Sequence, residues 1–352
     1  MLRSFFRLSL LLAAIVVTGF GSPSLHADES TGRLDIYFID VEGGAATLFV
    51  TPAGESLLID SGYPDFNGRD RDRILKVVTE TAGLKQIDNV AVTHWHRDHY
   101  GNHAALAAKI RIGNFWDRGI PDALQEDAQF VDRIADYRRA SENQSKKLEP
   151  GDMLPLESGK TPLGIKIVTA SRNVIANDGP PNPFAKLHVP KKRDASDNAA
   201  SVSFLLSFGK FRFLCCGDLT WNIEAKLMTP NNPIGQVDMY MVTHHGLPSS
   251  NNPALVRAID PRVAVMCNGP TKGGHPDVIK TLRQVKSLRA LYQLHRNVKL
   301  KADEQTAAAY IANTEPTTDC KGVYVKASIA ADGGSYTVQI GADGKPRTYK
   351  TR

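Results

Sequence analysis

The segment Thr93-His94-Trp95-His96-Arg97-Asp98-His99 places three imidazoles and one carboxylate within six residues. Imidazole nitrogen and carboxylate oxygen are the ligands that hold zinc, and they also suit manganese and iron. One histidine here would read as a packing residue; this density, directly after an apolar stretch, exceeds anything packing requires. His94 and His96, two residues apart, could share one cation. Asp98 and His99 could turn toward a second once the chain bends. Further candidates follow in chain order: Asp60 before Ser61-Gly62, Asp218 after Cys216-Gly217, the pair His244-His245 before Gly246, and His275 before Pro276. No Gly-x-Ser-x-Gly elbow is present, so a serine nucleophile has no support.

Positioning such groups requires strand ends, and the pattern supplies them. Residues 33–41, 46–51 and 56–60 read as strands, the last two joined through Pro52-Ala53-Gly54. Helical spacing covers 69–82 and stops at Gly83. The short apolar strand 87–93 runs straight into the histidine segment, and a helix is expected over 102–109. Residues 121–147 are charged and helix-prone, a candidate lid or partner surface. Strands are expected at 164–170, 201–208, 211–216, 237–243 and 263–267, with helices after Thr220, at 253–259 and at 276–287. Residues 172–197 read as a loop rich in proline and lysine, and the tail carries strands near 322–327 and 335–340. Two strands, 89–93 and 238–243, end alike in Thr-His, so two similar halves could deliver ligands into one cleft. This order implies an α+β chain with two sheets face to face and helices outside, a four-layer αββα sandwich.

The composition is that of an ordinary globular protein: 352 residues, 42% hydrophobic and 23% charged. Disordered, collagen-like and disulfide-dense classes are excluded. The net charge of +6 is mild and compatible with an anionic substrate. Arg3 and Arg7, the apolar run 8–17 and the small residues before Asp28 describe a secretory signal over 1–27. That run falls short of the roughly 20 residues a bilayer span needs. We therefore expect a periplasmic or secreted protein with no stable membrane span, its residues 28–352 forming one domain. Of the four cysteines, Cys215 and Cys216 are neighbours on a strand and point to opposite faces. Either could pair with Cys267, or all could be buried thiols.

His94-x-His96-x-Asp98-His99 resembles the signature of the metallo-β-lactamase superfamily. Asp60 in its Leu57–Gly62 setting resembles that family's early aspartate, which supports the metal site from behind the ligands. Asp218 resembles the aspartate that bridges both metals, and His244-His245-Gly246 resembles the late histidine motif. The segments 38–45, Asp197-Asn198 with Ser201, Ser249-Ser250 and Gly274-His275-Pro276 narrow the likeness to the hydrolase-like domain of ComEC, free-standing and without its channel. This resemblance implies two divalent cations, zinc foremost with Mn2+ or Fe2+ as alternatives, and a bridging hydroxide that attacks the substrate. The implied metal residues are His94, His96, Asp98, His99, Asp218 and one or both of His244 and His245. Asn198 and His275 are expected to steady substrate or leaving group. His26, His103 and His295 are expected to have no part in the site.

One departure stands out. The superfamily offers a further histidine upstream of the Gly-Asp, where this chain has only His188 or, in its place, Asn198 with Ser201 nearby. The expected reaction is phosphodiester hydrolysis, on nucleic acid or an envelope phosphoester, with Lys191-Lys192-Arg193 able to touch phosphates. The alternatives are a β-lactam or lactone hydrolase and, from another class, an inactive module that binds nucleic acid or a wall polymer.

Overall fold

The computed structural model describes Ala27 and residues 30–315 and 320–352. The signal sequence expected over 1–27 therefore lies, apart from Ala27, outside the described residues. Among the described residues no helix is long and apolar enough to cross a membrane.

The described strands gather into two nine-stranded sheets. Across the first, the order is Arg347–Lys350, Ser335–Ile340, Val325–Ile329, Leu34–Phe38, Thr47–Val50, Ser56–Ile59, Gln86–Ala91, Arg111–Asp117 and Lys146–Lys147. Across the second it is Ile311–Asn313, Ala290–His295, Val263–Met266, Met239–Met241, Phe211–Cys215, Ser203–Phe208, Leu163–Ala170 and Met153–Leu154, with Asn173–Val174 also paired to Leu163–Ala170.

Alternation along the strands explains the layers. Leu34, Ile36 and Phe38 point between the sheets, where they share one core with Phe204, Leu206 and Phe213. Phe213 meets Phe49 edge-on, with ring centroids 5.6 Å apart. Tyr37 and Ile39 point the other way, into a second core with Ile74 of helix Arg69–Lys76 and Phe130 and Ile134 of helix Phe130–Ala140. Leu214, Tyr240 and Ala264 do the same on the second sheet, under helices Trp221–Met228, Pro253–Ile259 and Pro276–Arg283. Burial of each leucine, isoleucine or phenylalanine among them contributes roughly 1.5–3 kcal/mol. Three apolar cores between four layers make the expected αββα sandwich. Cys215 lies in the core between the sheets and Cys216 in the core beyond, and all four cysteines are free.

Parallel pairing decides where the site falls. Ser56–Ile59, Gln86–Ala91 and Arg111–Asp117 run parallel in the first sheet. Phe211–Cys215, Met239–Met241 and Val263–Met266 do so in the second. Their carboxyl ends open at one edge of the sandwich, as in other open sheets that bind ligands there. The two Thr-His strand ends come from different sheets, Thr93-His94 after Gln86–Ala91 and Thr243-His244 after Met239–Met241.

The segment 121–147 is a buttress. Helix Phe130–Ala140 packs Phe130 and Tyr137 against Trp95, with ring centroids 6.3 and 5.1 Å from it. Trp95 Nε1 also donates to the Gly119 carbonyl at 3.0 Å. The histidine segment is thereby clamped by its own tryptophan.

Candidate metal centre

Four ligand atoms meet at the open edge: one each from Asp98, His99, Asp218 and His245, all within 4.8 Å of one another. His99 Nε2 lies 3.2 Å from His245 Nε2, 3.4 Å from Asp98 Oδ2 and 3.3 Å from Asp218 Oδ2. His245 Nε2 lies 3.3 Å from Asp98 Oδ2 and 3.4 Å from Asp218 Oδ2. The same Asp218 Oδ2 is also 3.3 Å from His244 Nε2 and 4.0 Å from His94 Nε2. His94 is fully buried, and its Nε2 has no hydrogen-bond partner.

Backbone geometry delivers these groups. Asp60 follows Ser56–Ile59 with φ of 61°, a left-handed conformation that turns its carboxylate back across the strand ends. It accepts from Thr93 N, Thr93 Oγ1 and His99 Nδ1, each at 2.8 Å. Asp197 accepts the Trp95 N–H at 2.6 Å and is paired with Arg118. Ser201 Oγ accepts the Asp218 N–H at 3.2 Å. His244 and His245 both adopt left-handed φ, 56° and 53°. Their turn is pinned from both sides: the His244 N–H donates to Gly217 O at 3.0 Å, and the N–H groups of Gly274 and His275 donate to His245 O and Gly246 O at 2.9 Å. A side chain at position 273 would strike the His245 carbonyl, which explains Gly273.

The charges are strongly coupled. Burial alone would lower the pKa of His99, but the carboxylates of Asp218, Asp98 and Asp60 outweigh it and hold the imidazole well above its ordinary value. Burial opposes ionisation of Asp98 and Asp218, yet His99 and Lys272 beside Asp98, and His244, His245 and His99 beside Asp218, hold both well below the carboxylate range. Burial and the neighbouring His99 and His96 push His94 well down. His244 is lowered to about 4, chiefly by burial. His94 and His244 are therefore neutral at pH 7 and have lone pairs to offer.

Residues 39–269 match the family model of the metallo-β-lactamase superfamily. The chain belongs to that superfamily. No curated protein matches it. Among solved structures it is similar to the metallo-β-lactamase fold protein YhfI of Bacillus subtilis, at 12% identity and TM-score 0.44, over 74% of this chain and 96% of that one. It is also similar to CmlA, a diiron β-hydroxylase of Streptomyces venezuelae, at 19% identity and TM-score 0.44, over 73% of this chain and 52% of that one. A third is human tRNase Z, short form, at 13% identity and TM-score 0.37, over 74% of this chain and 91% of that one.

Members of the metallo-β-lactamase superfamily bind divalent metals, and the residues present in this chain fit them. The donors are imidazole and carboxylate, they are buried, and the orphaned His94 Nε2 is a lone pair awaiting an acceptor of electrons. His99 and His245 are each held through Nδ1, by Asp60 at 2.8 Å and by the Cys267 carbonyl at 3.0 Å, leaving Nε2 for a ligand.

Not every expected residue joins the cluster. His96 lies beside His94, with ring centroids 4.7 Å apart, but its Nε2 is bonded to Glu126 Oε1 at 3.1 Å. Asn198 reaches His244 Nε2 at 3.4 Å through Nδ2, and its buried Oδ1 is unpartnered. His188 is elsewhere, bonded to Asn252 Nδ2 at 2.8 Å. His275, expected to steady substrate, lies at the start of a helix. Proline at the next position makes it the N-cap of helix Pro276–Arg283, and its ring accepts from the Asp277 N–H at 3.3 Å. His103 and His295 are bonded elsewhere, to Ser61 Oγ at 2.9 Å and Asp40 Oδ1 at 2.7 Å.

Sequence reasoning missed Lys272, Tyr63 and Glu126. Lys272 is ion-paired with Asp98, and its Nζ lies 3.2 Å from Tyr63 Oη. Another group of potential ligands, Asp40, Glu42, His295 and Cys320, is closed by Arg73, which bonds Asp40 and Glu42 at 2.9 Å each. A guanidinium already supplies the positive charge there.

Proposed function

We propose that the protein is an exported hydrolase with two divalent cations, zinc foremost, acting on phosphodiesters of nucleic acid or of an envelope phosphoester. The observation that carries this reading is the convergence of His94, His99, His244 and His245 on one Asp218 oxygen, with Asp98 in the same buried group. When bound, such cations supply Lewis acidity and a water activated at neutral pH.

The remaining work falls to the chain's own residues. Asp60 accepts the Nδ1 proton of His99 and so keeps Nε2 directed into the site. Asp98 and Asp218, held ionised, supply negative charge to match the cations. Lys272, steadied by Tyr63 and partly exposed, presents an ammonium to an anionic oxygen of the substrate. Asn198 offers an amide beside His244.

The phosphodiester preference draws support from the likeness to the ComEC hydrolase-like domain and from the basic rim. Lys191 stacks its Nζ 3.5 Å from the Trp221 ring centroid and donates to Pro248 O, one residue before the Ser249 that holds His244. Lys191-Lys192-Arg193 thus stands near the cleft, where basic residues attract phosphates. The pattern of Arg3, Arg7 and the apolar run supports export.

The test is turnover of a chromogenic phosphodiester by residues 28–352 reconstituted with zinc or manganese, with and without chelator. Chelator-sensitive turnover is expected. A metal-loaded protein inert toward phosphodiesters but active on β-lactams or lactones would replace this reading. Metal retention without hydrolysis of any of these would mark a binding module.

A further inference from the structure

The two adjacent histidines face different neighbours. His245 Nε2 lies among Asp98, His99 and Asp218 at 3.2–3.4 Å. His244 Nε2 lies 3.3 Å from Asp218 Oδ2 and 3.4 Å from Asn198 Nδ2. Their ring centroids are 6.1 Å apart. Two consecutive non-glycine residues in the left-handed region are strained, and here backbone bonds to Gly217 O and from Gly274 and His275 hold them there. In that conformation both neighbouring rings bring Nε2 to the same Asp218 oxygen, at 3.3 and 3.4 Å.

Each ring is also fixed by its far nitrogen. Cys267 O can only accept, so His245 carries its proton on Nδ1 and exposes the Nε2 lone pair. His244 Nδ1 sits 3.0 Å from both Ser249 Oγ and Ser250 Oγ, which hold the ring with its Nε2 toward Asp218. The buried and unpartnered Nε2 of His94 lies 4.0 Å from the same Asp218 oxygen. His188, the upstream alternative, is committed to Asn252.

We propose that His244 supplies the imidazole missing upstream, so that two consecutive residues serve two different cations: His244 the one shared with His94 and Asp218, His245 the one shared with Asp98, His99 and Asp218. This rests on the two-cation reading above. The doubled histidine and its strained turn are then the chain's substitute for a ligand that the segment before Gly217 does not provide. Ser249 and Ser250 are positioning residues for His244.

The experiment is cadmium-113 and nitrogen-15 imidazole NMR on the wild-type chain loaded with cadmium. Two cadmium resonances are expected, one coupled to the Nε2 of His94 and His244, the other to those of His99 and His245. His244→Gln should remove the first resonance and keep the second, and His245→Gln should do the reverse. Coupling of His244 to the same ion as His245, or to neither, overturns the proposal, as do two unshifted resonances in folded His244→Gln. A wild-type chain that takes up fewer than two ions instead overturns the two-cation reading itself. Because the coupling pattern is read on the wild type, misfolding of a variant leaves the answer intact.

Discussion

Asp60 Oδ2 lies 2.8 Å from His99 Nδ1, across 39 residues of chain and between two buried side chains. The contact selects which nitrogen of His99 faces the cluster, because a carboxylate can only accept. Asparagine at position 60 could present its NH2 to Nδ1 and reverse that choice. Asp60→Asn should weaken metal affinity about 10–100-fold with the fold intact, the usual effect of losing such a partner. Competition against a chromogenic chelator measures it, and unchanged affinity would sink the orienting role.

Asp218 Oδ2 lies within 4.0 Å of His94, His99, His244 and His245, whereas His103 is bonded to Ser61. Asp218→Ala should therefore lose both ions and all turnover together. His103→Ala should keep two ions per chain while losing about 2–4 kcal/mol of stability, from the cavity and the broken bond to Ser61. Elemental analysis and thermal melts on the two variants separate these outcomes. Full activity in Asp218→Ala is incompatible with the proposed centre.

The fate of the His99 proton sets a pH dependence. In the metal-free chain the surrounding carboxylates keep His99 protonated at neutral pH, while Asp98 and Asp218 are already ionised. A ligand imidazole must give up the Nε2 proton. Metal uptake at pH 7 should release about one proton from His99, and affinity should fall as pH drops. Calorimetry in buffers of different ionisation enthalpy counts the protons. No release at pH 7 would mean that His99 does not ligate.

What the sequence made legible was local. Thr93 to His99 is a single run, and strands 56–60, 87–93, 211–216 and 237–243 were visible from apolar stretches ending on polar residues. The strand Arg111–Asp117 escaped notice because Gly113 and half-exposed positions break its pattern. The contacts that decide the chemistry are distant in the chain: Lys272 lies 174 residues from Asp98 and Glu126 lies 30 from His96. Nor does any local pattern say which nitrogen of a ring faces inward. That depends on acceptors such as Cys267 O, brought close only by the packing of the second sheet.

Lys272 carries the prediction for substrate binding. Its ammonium bonds Asp98 and Tyr63 Oη at the cleft, and an anionic substrate would add a charge-assisted bond. Lys272→Met should raise KM about 10–100-fold for a phosphodiester, from loss of a bond worth roughly 1.5–3 kcal/mol. Turnover at saturation should change little, because this is binding common to ground and transition states. A selective fall in kcat would instead place Lys272 in the chemical step.

Glu224 lies behind the site and should make stability depend on pH. Its carboxylate is fully buried and accepts the N–H groups of Asn251 and Asn252 at 3.0 and 2.7 Å, holding the loop that carries Ser249 and Ser250. Burial raises its pKa from 4.5 to about 7 despite those bonds. A carboxyl whose pKa is higher folded than unfolded binds its proton more tightly in the native state, so protonation favours folding. Its contribution is fully present below pH 4.5 and is lost as pH rises from 4.5 to about 7. Glu224→Gln cannot ionise, so the difference in unfolding free energy between wild type and variant should shift in favour of the variant across that interval and stay level above it. Denaturant melts of the metal-free proteins at several pH values measure the difference. A flat difference from pH 4.5 to 7 would show that Glu224 titrates as an ordinary carboxylate.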